Sequence, residues 1–421
     1  MQRPAVNFSS ILAYSAMCLG VLPGLAYAKV YLAHLLWQIG HDWTGWAGVT
    51  RSSIQGSCYD FAVFWAAGTA LRHHIAIDLY DRIQFSNWGR MLFHSPLPPL
   101  LYPPAILPLF IVFSWLPLPT SYDVFNLASL TISFFLLWRC DIPRWCIAAG
   151  MIGPAVVFNL CLGQFGLLGG ALLIFGLCRV SSQPWLGGLS LSLLALKPQY
   201  AVLAPVAALA SRNWTAIIAG LLGVVIFTSS SLFIFHGALW WDFLHQGRRT
   251  LQGVLTVPFD YASGRDNYAY GGASVFWMLR SLHVSTNIAY LVQGVVSLSA
   301  LVTAWNVWRD TRLPHLNRVL LTVLLTMFVT PYGYINDLCA ASILLLTLAR
   351  RHTPWRNAAL AWLWSAPLFV DFITRRMHFL ITPVLLTCAL ALAWRYRYEP
   401  PLQPKRISLS PPHQKQPLLA E

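Results

Sequence analysis

Asp60 opens the stretch DFAVFWAAG, a carboxylate set among aromatics in a chain with only 14 acidic residues. Beside Phe61, Phe64 and Trp65 its ionised form is poorly solvated, and desolvation raises a carboxylate pKa. An aspartate becomes a usable general base near neutral pH in that way. The same position suits a helix N-cap with aromatics marking a membrane boundary, and the residue types leave both readings open. Asp337, preceded by Asn336 in TPYGYINDL, is a second acid for base or positioning work. Lys197, in Lys197-Pro198-Gln199, lies in the middle of an apolar stretch. A buried ammonium at a helix break suits a phosphate, whereas a snorkelling lysine belongs at a span end. Gln199 shares that break. Gln164 closes NLCLGQ, where an amide must find a partner, either a sugar hydroxyl or another helix. Tyr102 begins Tyr102-Pro103-Pro104, which also reads as a plain helix start. Arg265, Arg375 and Arg376 are further cations for an anionic group.

The elements that must position these residues are membrane helices. Hydrophobic residues make up 57% of the 421 and charged residues 10%, against about 25% charged in soluble domains. Apolar stretches long enough to span follow one another at about 9–38, 101–118, 121–138, 145–162, 165–180, 185–209, 214–235, 287–308, 317–331, 338–349, 357–372 and 378–394. The expected fold is therefore an all-α polytopic bundle of about twelve transmembrane helices, occupying residues 1–395. Larger outer loops fall at 40–100 and 236–286, and residues 396–421 read as a disordered cytoplasmic tail. Ala26-Tyr27-Ala28 resembles a signal-peptidase site, but the apolar run resumes through Ile39, so an uncleaved first span is expected. Arg212, Arg309 to Arg318, Arg350 to Arg356 and the tail alternate onto one face, which the positive-inside rule makes cytoplasmic. Arg139, Arg144 and Arg179 break that pattern under twelve single crossings. The segment 185–209, with Pro198 at its middle, has a re-entrant hairpin as its alternative.

The net charge of +14 does not point to nucleic acid, because the basic residues sit singly or in short runs between apolar stretches. The eight cysteines have no metal-ligand spacing, and no HExxH occurs among twelve histidines. No metal or cofactor is expected. A phosphate-binding loop and a nucleotide-binding domain are both missing from the sequence, which argues against a nucleotide-sugar enzyme.

The order DFAVFWAAG, YPP, NLCLGQ, LKPQ and TPYGYINDL resembles glycosyltransferase family 87, from about residue 9 to residue 395. That resemblance implies a GT-C fold in the inner membrane and inverting transfer of a hexose, mannose-type in the mycobacterial members, on the periplasmic face. The implied donor is a polyprenyl-phosphate sugar, and the acceptor a lipid or envelope glycan. Matching the first motif puts the base on Asp60, and the later one puts a second acid on Asp337. The chain departs from the mycobacterial pattern by carrying Tyr334, Asn336 and Asp337 where histidine is frequent. A polytopic transporter or a lipid-carrier flippase is the alternative, although no internal repeat of the transporter kind is visible.

Overall fold

The computed structural model describes residues 59–259, 271–350 and 353–401. The expected first span, 9–38, lies outside the described residues. Within them the chain is helical, and the one β-type contact is an isolated antiparallel bridge between Gly272 and Tyr334. Helices α1 (Tyr59–Arg72) and α2 (Arg82–Phe93) occupy the expected first outer loop. Then follow α3 (Pro104–Phe113), α4 (Leu118–Trp138), α5 (Arg144–Met151), α6 (Pro154–Leu162) and α7 (Gly166–Arg179). Next come α8 (Pro184–Leu196), α9 (Pro198–Ala210) and α10 (Trp214–Phe235). The expected second outer loop carries α11 (Ala238–Asp242), α12 (Arg248–Thr256) and α13 (Val275–Ser281). The chain continues with α14 (Thr286–Arg309), α15 (His315–Val329) and α16 (Ile335–Leu348). Helices α17 (Pro354–Met377) and α18 (Thr382–Arg395) complete the bundle. Three of these, α4, α10 and α14, are long and apolar enough to cross a membrane, and α5 with α6 makes a fourth bent by 46°.

Hydrogen bonds define two ends of the bundle. At the first, the Arg179 guanidinium donates to the Arg139 carbonyl and Asn213 Nδ2 to the Val180 carbonyl. The His315 ring lies 3.1 Å from the Leu177 carbonyl. Asn317 Nδ2 donates to the Arg397 and Glu399 carbonyls, at 2.8 and 2.7 Å, and Arg356 pairs with Glu399 at 2.7 Å. The exposed Trp138, Trp145, Trp185, Trp214, Trp355 and Trp394 sit at the helix termini of this same end. Arginines interleaved with indoles are the mark of a membrane–water boundary. At the opposite end, Ala273 N–H donates to the Gly333 carbonyl (2.7 Å) and Leu380 N–H to Ser281 Oγ (3.1 Å).

Two of the twelve expected spans do not run between these ends. The segment 185–209 is a hairpin. Asn213 closes back onto Val180, so the stretch between them leaves and returns to the basic end. Helix α8 runs antiparallel to α7, with Ser190 Oγ on the Leu172 carbonyl (3.0 Å). It also runs beside α10 in the same direction, where Gly188 meets the Ala216 carbonyl and Gly223 meets Ser192. A Cβ on Gly188 would lie 2.2 Å from that carbonyl, so only glycine allows the approach. The turning point is Lys197-Pro198, where proline forbids the continuing helix. The segment 101–118 also fails to cross, because both ends of α3 stay at the non-basic end. Tyr102 there bonds Gln164, and the Phe113 carbonyl accepts from Ser121 Oγ at 3.0 Å. With these two segments reassigned, Arg139, Arg144, Arg179 and Arg212 all fall at the basic end, and the exception to the charge pattern disappears.

The tail leaves the bundle later than Arg395, since Glu399 remains held by Arg356. Above the bundle, α1 is sealed by aromatic packing: Phe64 stacks on Phe110 at 4.6 Å, and Phe61 meets Phe125 at 5.2 Å. This packing fixes the first turn of α1, and with it Asp60.

Candidate functional site

Asp60 stands in the first turn of α1, half-buried. Its Oδ2 accepts from Gln164 Nε2 at 2.8 Å, a partner 104 residues away. Gln164 Oε1 accepts in turn from the Tyr102 hydroxyl at 2.7 Å, which fixes which way the amide faces. The Tyr102 ring meets Phe64 edge-on at 4.7 Å.

Gln164 reaches Asp60 because of the reversal between α6 and α7. Gly163 has φ +66°, a left-handed conformation, and a Cβ on it would lie 2.5 Å from Phe61 Cβ. Asn159 braces the turn, donating from Nδ2 to the Gln164 carbonyl (3.0 Å) and accepting from Leu167 N–H (3.3 Å). Within NLCLGQ, then, Asn159 is spent on backbone and Gln164 is presented to Asp60.

Lys197, 5% exposed, pairs with Asp337, 4% exposed. The Tyr200 hydroxyl also donates to Asp337 Oδ1 (3.0 Å), and Tyr334 N–H donates to Oδ2 (3.1 Å). Both Asp337 oxygens are thus engaged, and the lysine does not snorkel. Asn336 is buried beside them, and its carbonyl passes so close to Gly166 that a Cβ there would be 2.0 Å away. Gln199 is half-buried one residue beyond Pro198. Neither the Asn336 amide nor the Gln199 amide has a hydrogen-bond partner among the described residues.

The two clusters form one site. Burial raises the Asp60 pKa, the Gln164 hydrogen bond and the Lys197 charge oppose that, and Asp337 adds to it. Asp60 therefore lies within electrostatic range of the buried pair. Tyr332 is within range of Tyr102, Lys197, Asp60 and Asp337, and its ring meets Tyr334 at 4.9 Å. The sequence reading does not single out Tyr332, inside TPYGYINDL, or Tyr200, directly after LKPQ; neither carries a charge or amide that interrupts the apolar pattern.

Of the remaining candidate cations, Arg376 is the one whose side chain is described. Arg376 is exposed in the last turn of α17. Arg375 belongs to the same turn, with its side chain outside the described set, and Arg265 is likewise outside the described residues. Lys197 is therefore the described cation that the fold brings to Asp60. Among the described residues no three His, Cys, Asp or Glu side chains converge as a metal site would need.

A half-buried carboxylate with a raised pKa, beside a buried ammonium, can accept a proton next to a group that accumulates negative charge. The profile of glycosyltransferase family 87 matches residues 100–331, which include Tyr102, Gln164, Lys197 and Gln199 but neither Asp60 nor Asp337. No curated protein and no solved structure matches the chain.

Proposed function

The chain belongs to glycosyltransferase family 87 and is a membrane glycosyltransferase; from that premise we propose that it moves a hexose from a polyprenyl-phosphate donor to a lipid or envelope-glycan acceptor, with Asp60 as general base. One observation carries the reading: among the described residues, Asp60 is the acid of the cluster with an oxygen left to take a proton. Its Oδ2 accepts from Gln164, while Asp337 has both oxygens committed to Lys197, Tyr200 and Tyr334.

Asp60 takes the proton of the acceptor hydroxyl as that oxygen bonds to the anomeric carbon. The bond from that carbon to the phosphate oxygen breaks, and the prenyl phosphate leaves with the electron pair. Lys197 uses one N–H on Asp337 and keeps the others for the departing phosphate. In a low-dielectric site such a contact is worth far more than in water. Among the described residues a single carboxylate of the cluster is available, a base with no second acid to serve as nucleophile, which supports inversion at the anomeric carbon. Asp337 is better placed as the positioner of Lys197 than as a second base.

The basic, tryptophan-bordered end supports a cytoplasmic assignment by the positive-inside rule, and this favours a site at the periplasmic side of a bacterial inner membrane. A transporter or flippase reading loses its ground with the family membership. The test is sugar transfer in proteoliposomes with a polyprenyl-phosphate hexose, comparing the wild type with Asp60→Asn. Asn keeps an acceptor oxygen for Gln164 and the same shape, so the fold should persist while turnover falls about 10²–10⁴-fold. Near-normal transfer by folded Asp60→Asn, or efficient transfer from a nucleotide sugar with no lipid carrier, overturns the proposal.

A further inference from the structure

Gln164 offers its N–H to Asp60 because the Tyr102 hydroxyl occupies its oxygen, so the position of Tyr102 decides what Asp60 meets. Tyr102 precedes two prolines, which carry no N–H and keep the residue before them out of the helical conformation. No helical ladder therefore fixes its backbone. A side chain from the expected first outer loop does so instead: the Tyr80 hydroxyl donates to the Tyr102 carbonyl at 2.9 Å.

Tyr80 is itself firmly held. Asp78 Oδ1 accepts from the Tyr80 N–H (2.8 Å), and Thr250 Oγ1, on α12, donates to the Tyr80 carbonyl (3.1 Å). Tyr80 is 1% exposed, and its ring meets Phe243 at 5.4 Å. Gly247, directly before α12, comes so near that a Cβ on it would lie 3.4 Å from Tyr80 Cδ1. Burial, with Asp242 and Asp78 nearby, pushes the phenol up from its ordinary value, so it stays protonated and remains a donor.

We propose that Tyr80 is a positioning residue for the base, fixing through the Tyr102 carbonyl where the Tyr102 hydroxyl stands, and through Gln164 which group faces Asp60. The inference rests on the reading of Asp60 as general base. Without the Tyr80 hydroxyl the segment at Tyr102 loosens, and the Gln164 amide is free to turn its oxygen toward the carboxylate. Asp60 then loses a hydrogen bond that favours its charged form, and its pKa rises further. The other titratable groups facing Asp60, namely Lys197, Asp337, Tyr102 and Tyr332, are all retained.

Tyr80→Phe keeps the ring and removes the hydroxyl. In proteoliposomes with a polyprenyl-phosphate hexose, kcat should fall about three- to tenfold, the worth of one hydrogen bond, with the donor KM unchanged. The midpoint of the pH profile of kcat/KM should move up by roughly half a unit. A role in packing alone lowers heat resistance without moving that midpoint. Tyr102→Phe should move it too, and adding Tyr80→Phe to Tyr102→Phe should move it no further, because both act along one chain of contacts. A midpoint left in place by Tyr80→Phe, a change confined to KM, or shifts that add in the double variant overturns the proposal. If Tyr80→Phe does not give monodisperse protein, Thr250→Val decides in its place. Losing the hold on the Tyr80 carbonyl should raise the midpoint in the same direction, and an unmoved midpoint overturns the proposal. Near-normal transfer by Asp60→Asn refutes the base itself, whereas loss of transfer in Asp60→Asn with an unmoved Tyr80→Phe profile refutes the positioning alone.

Discussion

Removing the charge of Asp337 is expected to do more damage than removing that of Lys197. Both side chains are nearly inaccessible, at 5% exposure for Lys197 and 4% for Asp337. Breaking a buried pair from one side typically costs about 3–5 kcal/mol, because an uncompensated charge stays behind. The residual partners are unequal. In Lys197→Met the carboxylate keeps the Tyr200 hydroxyl at 3.0 Å and the Tyr334 N–H at 3.1 Å. In Asp337→Asn the ammonium keeps a neutral amide oxygen and the Tyr200 ring face, 5.2 Å to its centroid. Asp337→Asn should therefore fall at the upper end of that range and Lys197→Met at or below the lower end. The double variant Lys197→Met with Asp337→Leu removes both charges and should be more stable than Asp337→Asn, yet below wild type, because the Tyr200 hydroxyl and the Tyr334 N–H lose their acceptor. It should recover no sugar transfer, since the cation facing the leaving phosphate is gone. Resistance of detergent-solubilised protein to heat, read as the monodisperse fraction, orders the variants, and transfer in proteoliposomes reads the chemistry. Equal stability of Asp337→Asn and wild type, or an active double variant, refutes the reasoning.

Transfer by the wild type should rise with pH through a midpoint above the ordinary aspartate value of 3.8, because burial raises the Asp60 pKa; a pH profile of kcat/KM with no ionisation above that value removes Asp60 as the base. The same shift acts on stability. A raised folded-state pKa gives stability that is full below the unfolded value and lost as pH rises through the folded one. Asp60→Asn should thus resist denaturation better than wild type at neutral pH and lose that advantage in acid, as paired melts at the two pH values would reveal. Gly166→Ala should cost about 1–3 kcal/mol and most of the activity, because its Cβ would meet the Asn336 carbonyl at 2.0 Å; an Ala variant with wild-type stability and turnover contradicts that close approach. Single cysteines at Ser182 and Arg212, both exposed, should react with an impermeant maleimide from one side of the membrane and one at Asn87 from the other; labelling of Ser182 and Arg212 from opposite sides restores a crossing at 185–209.

Most helices of the bundle were legible because long apolar runs announce themselves. The stretches 121–138, 214–235 and 287–308 correspond to α4 (Leu118–Trp138), α10 (Trp214–Phe235) and α14 (Thr286–Arg309). What hydropathy does not report is direction. The run 185–209 is apolar enough to cross, yet it turns at Lys197-Pro198 and returns, as the contacts of Asn213 with Val180 and of Ser190 with Leu172 reveal. The unexplained positions of Arg139, Arg144 and Arg179 are the trace of the other non-crossing segment, 101–118, and the hairpin keeps Arg212 on their side. Site residues were legible where an isolated charge or amide interrupted apolar sequence, as at Asp60, Gln164, Lys197 and Asp337. Pairing was not: nothing local says that Lys197 meets a residue 140 positions away. Tyr102 reads as the start of a proline-led helix until its hydroxyl is seen to set the orientation of Gln164.

The site lies where three chain reversals meet: Gly163-Gln164 between α6 and α7, Lys197-Pro198 between α8 and α9, and Thr330 to Tyr334 between α15 and α16. Each reversal frees backbone groups in a region poor in water, and non-helical backbone is tolerated there only when protein satisfies those groups. The polar residues of the site do that work as well. Asn159 bonds the Gln164 carbonyl and the Leu167 N–H, and Asp337 accepts the Tyr334 N–H. Lost activity in Asn159 or Asp337 variants therefore mixes chemistry with folding. Asp60 differs: its carboxylate accepts from the Gln164 side chain and from no backbone N–H among the described residues. It is accordingly the acid of the cluster whose removal can separate proton transfer from the architecture that holds it.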